Sequence, residues 1–391
     1  MYRIITILLS STIMLSAMSY EQFKKRVISN SKILQRSNIS LKATNIEGDI
    51  LMRSENPTVE MELSRFNPDV GDSQQGYRAS YSQSIRRDSY YNSLLDSRLS
   101  KERLSLAYVV KNRAKLILDI EVLYTNLVYL NQLQQLLIKD LKISKRVSNI
   151  AKERYESGAE SRVKYLQSKS EYISTKSRLI SLKREIGIIY YEMMSLASID
   201  RDIELEKKFI YSIGSKNDIG INQSPLGEIL LAKEQLLANN ISLHSQSINR
   251  YSLFTELEKE PDQSVVRVGI EIELPIFNQK SQERALATIH KQQAQIDREQ
   301  LQLSQRIQKK SIVSSISQLS KEYQTLNLLA KEQGEILELL EEGYRISKGS
   351  LLELMIAKQK VLETKKRVLE RQKEFNLKKI ELNYLQGKYN D

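Results

Sequence analysis

The chain has no cysteine and no tryptophan, two histidines, 5 prolines and 13 glycines in 391 residues. Without cysteine there are no disulfides, thiolate zinc sites, iron–sulfur clusters or lipid-modified N-terminal cysteine. His244 and His290 lie far apart with no carboxylate pattern around them, too little for a histidine metal cage or a histidine-based triad. Of the eight methionines only Met193 and Met194 are adjacent, and methionine at helical spacing usually packs a core. There is no Gly-rich phosphate loop and no Gly-x-Ser-x-Gly elbow. These absences lead us to expect no catalytic residue, no metal and no cofactor. An average chain of this length would carry about 27 Gly and about 20 Pro, so few turns and long regular elements are expected. Beyond the N-terminus no window reaches 18 uninterrupted apolar residues, which excludes a helical transmembrane segment. Life in a membrane would then require a β-barrel.

What is present begins with residues 1–19. Arg3, the apolar run Ile4 to Leu15, and Ala17-Met18-Ser19 have the anatomy of a secretory signal peptide cut before Tyr20. The formal net charge is +12, which could suit an anionic partner. The Lys and Arg residues, however, are scattered among Glu, as in Lys365-Lys366-Arg367 followed by Glu370-Arg371. That is the pattern of a solvated helical face, and no nucleic-acid partner is expected.

The prolines divide the chain. None lies between residues 69 and 224 or after 275. Long Pro-free stretches rich in Leu, Ile, Lys, Glu and Gln predict helices over about 88–153, 160–197, 279–343 and 350–387. Leu116, Ile117, Ile120, Leu123, Tyr124, Leu127, Val128 and Leu130 step at threes and fours, as do Leu326, Leu329, Ile336, Leu337, Leu340 and Tyr344. A 65-residue helix is roughly 100 Å long, too long for a globular core and suited to a coiled coil. The proline-bearing regions alternate instead. Val266, Val268, Ile270, Ile272, Leu274 and Ile276 are separated by Arg267, Gly269, Glu271, Glu273 and Pro275, the length and two-faced pattern of a transmembrane β-strand. Val59, Met61 and Leu63, then Tyr77, Ala79 and Tyr81, and more weakly Tyr251 to Leu257, do the same. Each region reads as a hairpin, at 57–86 and 250–277.

The order helix, hairpin, long helix, second helix occurs twice. Tyr155 and Tyr344 are 189 residues apart, as are Ser161 and Ser350, and Ile85 and Leu274. From Arg86 to Tyr155 is 69 residues, and from Pro275 to Tyr344 is also 69. The predicted organisation is a first repeat at 20–205, a linker at 206–223 and a second repeat at 224–391. The fold class is α+β and mostly α, with two pseudo-repeats that each carry a β-hairpin and long coiled-coil helices.

The turn sequences Arg154-Tyr155-Glu-Ser-Gly158-Ala-Glu-Ser161 and Gly343-Tyr344 through Ser350-Leu351-Leu352-Glu353-Leu354, with Val268 to Phe277, resemble the TolC-like outer-membrane efflux protein family. Four strands are too few to close a barrel, and an open edge in lipid leaves unpaired backbone groups, so copies must associate. The resemblance supplies the number: a homotrimer with a 12-stranded β-barrel in the outer membrane of a Gram-negative bacterium and an α-helical tunnel in the periplasm. It implies the exit duct of a tripartite efflux or type I secretion system, working with a periplasmic adaptor and an inner-membrane pump, and no enzyme. It places Tyr155, Gly158, Ser161, Tyr344, Ser347, Gly349 and Ser350 at tips that dock the adaptor. Glu353 falls at a gate position, Ile356 at the next such position, and Lys164 at a polar gate position of the first repeat. The competing class is a periplasmic adaptor or a structural coiled-coil protein. An adaptor would carry many short β segments, and a filament would not need the Val266–Ile276 alternation.

Overall fold

The computed structural model describes residues 17–67, 69–214, 223–346 and 348–390. In order these form α1 (Tyr20–Asn30), α2 (Lys32–Met52), β1 (Thr58–Phe66), β2 (Gln74–Arg86), α3 (Asp88–Glu156), α4 (Arg162–Leu196), α5 (Pro225–His244), β3 (Arg250–Lys259), β4 (Ser264–Ile272), α6 (Ser281–Arg345) and α7 (Leu351–Leu385). The four long helices end within three residues of their predicted limits. The helix expected before the first hairpin is instead two, α1 and α2, because Ser31 leaves helical geometry at ψ 118°. The Val266–Ile276 strand is shorter than its alternation suggests. Pairing stops at Ile272, opposite Tyr251 near the start of β3, and Pro275 lacks the N–H that a longer ladder would use.

Contacts gather the chain into two compact units, each drawing on both sequence repeats. The first comprises Met1–Lys32, Lys115–Gly220 and Lys309–Tyr389; the second comprises Ile33–Ala114, Ile221–Gln308 and Asn390–Asp391.

The second unit holds the sheet. Its strands run β1-β2-β3-β4, every neighbour antiparallel, so the two hairpins join through β2 and β3. Register sorts the side chains by face, since successive residues point to opposite sides. Val59, Met61 and Leu63 stand beside Tyr81, Ala79 and Tyr77, and Thr255 and Leu257 beside Val268 and Val266. The other face carries Glu60, Glu62, Arg78, Glu256, Glu258, Arg267 and Glu271, with Arg78 paired to Glu62 and Arg267 to Glu256 and Glu258. Helices α2 and α5 pack on the α3 segment of this unit. Arg98–Asp49 and Lys101–Glu47 ion pairs hold α2, and Ala107, Ile229 and Ala232 form a small apolar contact with α5.

The first unit holds the helical core. The α3 stripe is buried at Leu116, Ile117, Ile120, Tyr124, Leu127 and Val128 and half-buried at Leu123 and Leu130. On α6 the expected stripe is corrected: Leu326, Leu337 and Tyr344 are buried, but Leu329 and Ile336 are exposed. Threes and fours fit two faces of one helix, and the buried one steps by sevens through Ala330, Leu337 and Tyr344. Ile312 and Ile316 of α6 pack on Phe375, Leu382 and Leu385 of α7.

The chain's ends meet its middle at one buried carboxylate. Glu121 Oε1 accepts from Tyr20 O–H at 2.6 Å, and Oε2 accepts from Tyr211 O–H at 3.3 Å and from Tyr389 O–H. Lys24 Nζ stands 3.5 Å away. Burial, then the Glu121 charge, raises the pKa of all three phenols well above the usual tyrosine value, so they remain donors. Asn376 fixes the adjoining segment by accepting from Tyr211 N–H at 2.8 Å and donating to Tyr211 carbonyl at 3.0 Å.

Most of the predicted signal peptide lies outside the described residues. Of residues 1–19, Met18 and Ser19 are hydrogen-bonded to other parts of the described structure. Met18 N–H donates to Glu204 carbonyl at 2.8 Å, and Glu206 N–H donates to Met18 carbonyl at 3.0 Å. Ser19 caps α1 with a reciprocal capping box to Gln22.

Replacing Glu121 with Ala leaves three buried phenols and Lys24 without their acceptor. The expected cost is about 3–5 kcal/mol, read as a lowered denaturant midpoint of the folded chain.

Candidate functional site

The two turns predicted as tips, Tyr155–Ser161 and Tyr344–Ser350, both lie in the first unit, and Tyr344 O–H donates to Glu160 across them. At the first, α3 ends in a tight reversal: Ala159 and Glu160 N–H both donate to Arg154 carbonyl, at 2.8 and 3.1 Å. Gly158 sits at φ +74°, a left-handed geometry that costs any Cβ-bearing residue strain. Ser161 is the N-cap of α4, its Oγ accepting from Lys164 N–H at 3.4 Å. At the second turn Lys348 N–H donates to Gly343 carbonyl at 2.8 Å. Gly349 is required by close approach, since a Cβ there would stand 2.8 Å from Tyr344 N. Ser350 begins α7 without a side-chain cap. Ser347 lies outside the described residues.

A polar network joins the turns around Glu160. Its Oε1 accepts from Lys164 Nζ at 2.6 Å, and its Oε2 accepts from Tyr344 O–H at 3.0 Å and faces Arg154 Nε at 3.1 Å. Arg154 Nη1 also donates to Tyr344 carbonyl at 3.0 Å, and its guanidinium lies over the Tyr344 ring, 4.6 Å from the centroid. Only 3% of the Glu160 side chain is exposed. Covering the carboxyl pushes its pKa up. Hydrogen bonds from Lys164 and Tyr344, with the Arg154 and Lys164 charges, outweigh that and hold it below the usual glutamate value. Burial, then the Glu160 bond, pushes the Tyr344 phenol up to about 12. Tyr155 and Tyr165 stack across the first turn, centroids 5.9 Å apart.

This arrangement divides the sequence-predicted residues. Tyr155, Gly158, Ser161 and Ser350 are exposed and free to meet another molecule. Tyr344 is fully buried and joins the two turns. Glu353 is exposed on the first turn of α7, beside exposed Leu352 and Ile356. Lys164 is already paired with Glu160, so within one chain it does not neutralise Glu353. Sequence reasoning passed over Arg154 and Glu160, although both stand in the turn motif, because their role depends on a tyrosine in the other repeat.

Among the described residues no helix is long and apolar enough to cross a membrane, and no cluster of His, Asp and Glu is placed to hold a metal. No family model and no curated protein sequence matches the chain. Solved structures do match. The fold, a joined pair of β-hairpins with two pairs of long helices, is that of the TolC-like outer-membrane channels. The outer-membrane channel OprN aligns at 14% identity and TM-score 0.78, covering 95% of this chain and 90% of that one. VceC, an outer membrane protein of Vibrio cholerae, aligns at 13% and 0.78, covering 94% and 95%. The CmeC outer membrane channel of Campylobacter jejuni aligns at 16% and 0.75, covering 94% and 85%.

A carboxyl with a depressed pKa stabilises the fold above its ordinary value of 4.5 and loses that contribution as pH falls through the depressed value. Glu160→Gln is therefore expected to cost about 1–3 kcal/mol at neutral pH. The gap in melting temperature between this variant and the wild type should narrow as pH falls below the ordinary glutamate range.

Proposed function

We propose that the chain is the outer-membrane exit duct of an efflux or type I secretion system. It would act as a homotrimer that conducts substrate passively from the periplasmic side to the cell exterior. The observation that carries this reading is the sheet. One face is apolar and open, with Met61 83%, Leu63 90% and Val268 78% exposed, and the other is charged. Both edge strands, β1 and β4, have one unpaired side among the described residues. A patch of this kind is a liability in water and fits lipid, provided its edges pair with those of neighbouring copies. Three copies would supply twelve strands. The charged face would then line the pore, and the exposed heptad-spaced Leu166, Ile173 and Ile180 of α4 and Ile289, Ile296 and Leu303 of α6 would meet other helices of the assembly.

In this reading the paired turns form the periplasmic end. Tyr155, Gly158, Ser161, Gly349 and Ser350, with Ser347, offer a surface for the adaptor that brings in an inner-membrane pump. The Glu160 network holds the resting tip, and Glu353 faces the aperture. The duct has no chemistry of its own, so the energy for transport comes from the pump.

Export would remove the leader upstream of Met18, with Ala17 as the small residue before the cut. Cutting after Ser19 would delete the α1 cap and place a new ammonium at the helix N-terminus, against its dipole.

Fractionation tests the reading. The mature chain is expected in the outer membrane, migrating in detergent gels as a species of three chains that collapses to one on heating. Recovery as a freely water-soluble monomer contradicts it. Mass spectrometry of the same material should find an N-terminus at Met18; one at Tyr20 contradicts the proposed cut.

A further inference from the structure

The inner seam of the first unit is interrupted by charge. On α7 the buried residues Leu351, Leu354, Lys358 and Val361 step by three and four, and Lys358 takes a core position between two aliphatic ones. On α3 the matching seam reads Leu137, Asp140, Ser144, Val147 and Ala151, all buried. On α4 Ser168, Thr175 and Leu182 step by sevens and are buried as well. One polar layer therefore crosses three helices. Lys358 Nζ donates to Ser144 Oγ at 2.7 Å and Glu171 Oε1 at 3.0 Å and stands 3.4 Å from Asp140 Oδ1. Thr175 Oγ1 donates to Asp140 Oδ2 at 3.3 Å. Ser144 Oγ–H donates in turn to Asp140 carbonyl at 2.9 Å. The Lys358 side chain is 6% exposed and that of Asp140 4%.

The ammonium thus has two hydrogen-bond acceptors and a carboxylate at ion-pair distance. The acceptors lie on two other helices, and apolar residues stand above and below. A polar residue at a coiled-coil core position allows one register and penalises others, because a slip of α7 would leave the charge buried and unpaired. Aliphatic neighbours such as Leu354 and Val361 tolerate sliding far better, since they make no directional bond.

We infer that Lys358 is a positioning residue that fixes the register of α7 on α3 and α4 and so holds the tip-proximal turn of α7, which bears Glu353, in its resting place. This rests on the duct reading for its consequence, restraint of the aperture, and on the geometry alone for the pin itself. Moving the first turns of α7 requires the whole layer to break at once. The restraint is therefore a threshold and not a graded spring.

The test uses the full-length mature protein in detergent at pH 8, with two readouts. Hydrogen exchange is measured in residues 351–357 and, as an internal control, in 116–128 of α3. Lys358→Met should speed exchange in 351–357 on the order of tenfold, the size of losing one buried charged hydrogen bond, with 116–128 unchanged. Lys358→Arg keeps a donor in the layer and should keep most of the protection. The double variant Lys358→Met, Asp140→Leu removes both charges and should restore it. Wild-type exchange at 351–357 in Lys358→Met, or equal loss in both segments, overturns the inference. In planar bilayers Lys358→Met should raise the resting conductance and the conservative variant should not. Unchanged resting conductance despite faster exchange overturns the link to the aperture. A preparation in which neither wild type nor variant conducts contradicts the duct reading, while exchange still decides the pin.

Discussion

One constraint governs the sheet: a backbone N–H or C=O placed in hydrocarbon must find a partner within the protein. The sheet of this chain has one apolar face and two free edges. In water the face would be a sticky patch, and in lipid the edges would each leave a row of unpaired groups. Neither problem can be solved by one chain, because four strands cannot curl far enough to meet. In the proposed assembly, pairing β1 of one copy with β4 of the next would satisfy both demands, and repetition would close the ring without an edge.

The helical part answers a different demand. Long helices with exposed heptad-spaced aliphatic residues could slide past one another, so the fold spends polar groups to fix them. Glu121 ties the first helix, the segment at Tyr211 and the tail at Tyr389 to the middle of α3. The Glu160 network ties the two turns together, and Lys358 ties α7 to α3 and α4. In each case a buried charge is paired with groups from more than one other segment of the chain, the condition under which burying it is tolerable. Stability comes mainly from the apolar seams, and these three points select one arrangement among several that the seams alone would permit.

Much of this was legible in the sequence. Helix limits followed from proline and glycine placement, and strand faces from alternation, because both depend on neighbours along the chain. The equal spacing of Tyr155, Tyr344, Ser161 and Ser350 located both turns. The losses are equally physical. The exposure of Leu329 and Ile336 escapes the pattern because threes and fours do not say which of two adjoining faces is covered. The burial of Tyr344 escapes the turn motif because its acceptor, Glu160, is 184 residues away in sequence. Lys358 stands visibly in a three-four run of aliphatic residues, yet a lone lysine on a basic helix looks like surface until its partners on two other helices are placed.

The most direct test exploits the absence of cysteine, since any introduced pair will be the only thiols. Single cysteines are placed along β1 between Val59 and Leu63 and along β4 between Val266 and Ile270, combined pairwise in one chain and oxidised in intact outer membranes. Closure between copies predicts that some register of pairs yields dimers and trimers and that the ladder stops at three. A ladder that runs past three, or monomers for every pair, would contradict a ring built from three open sheets.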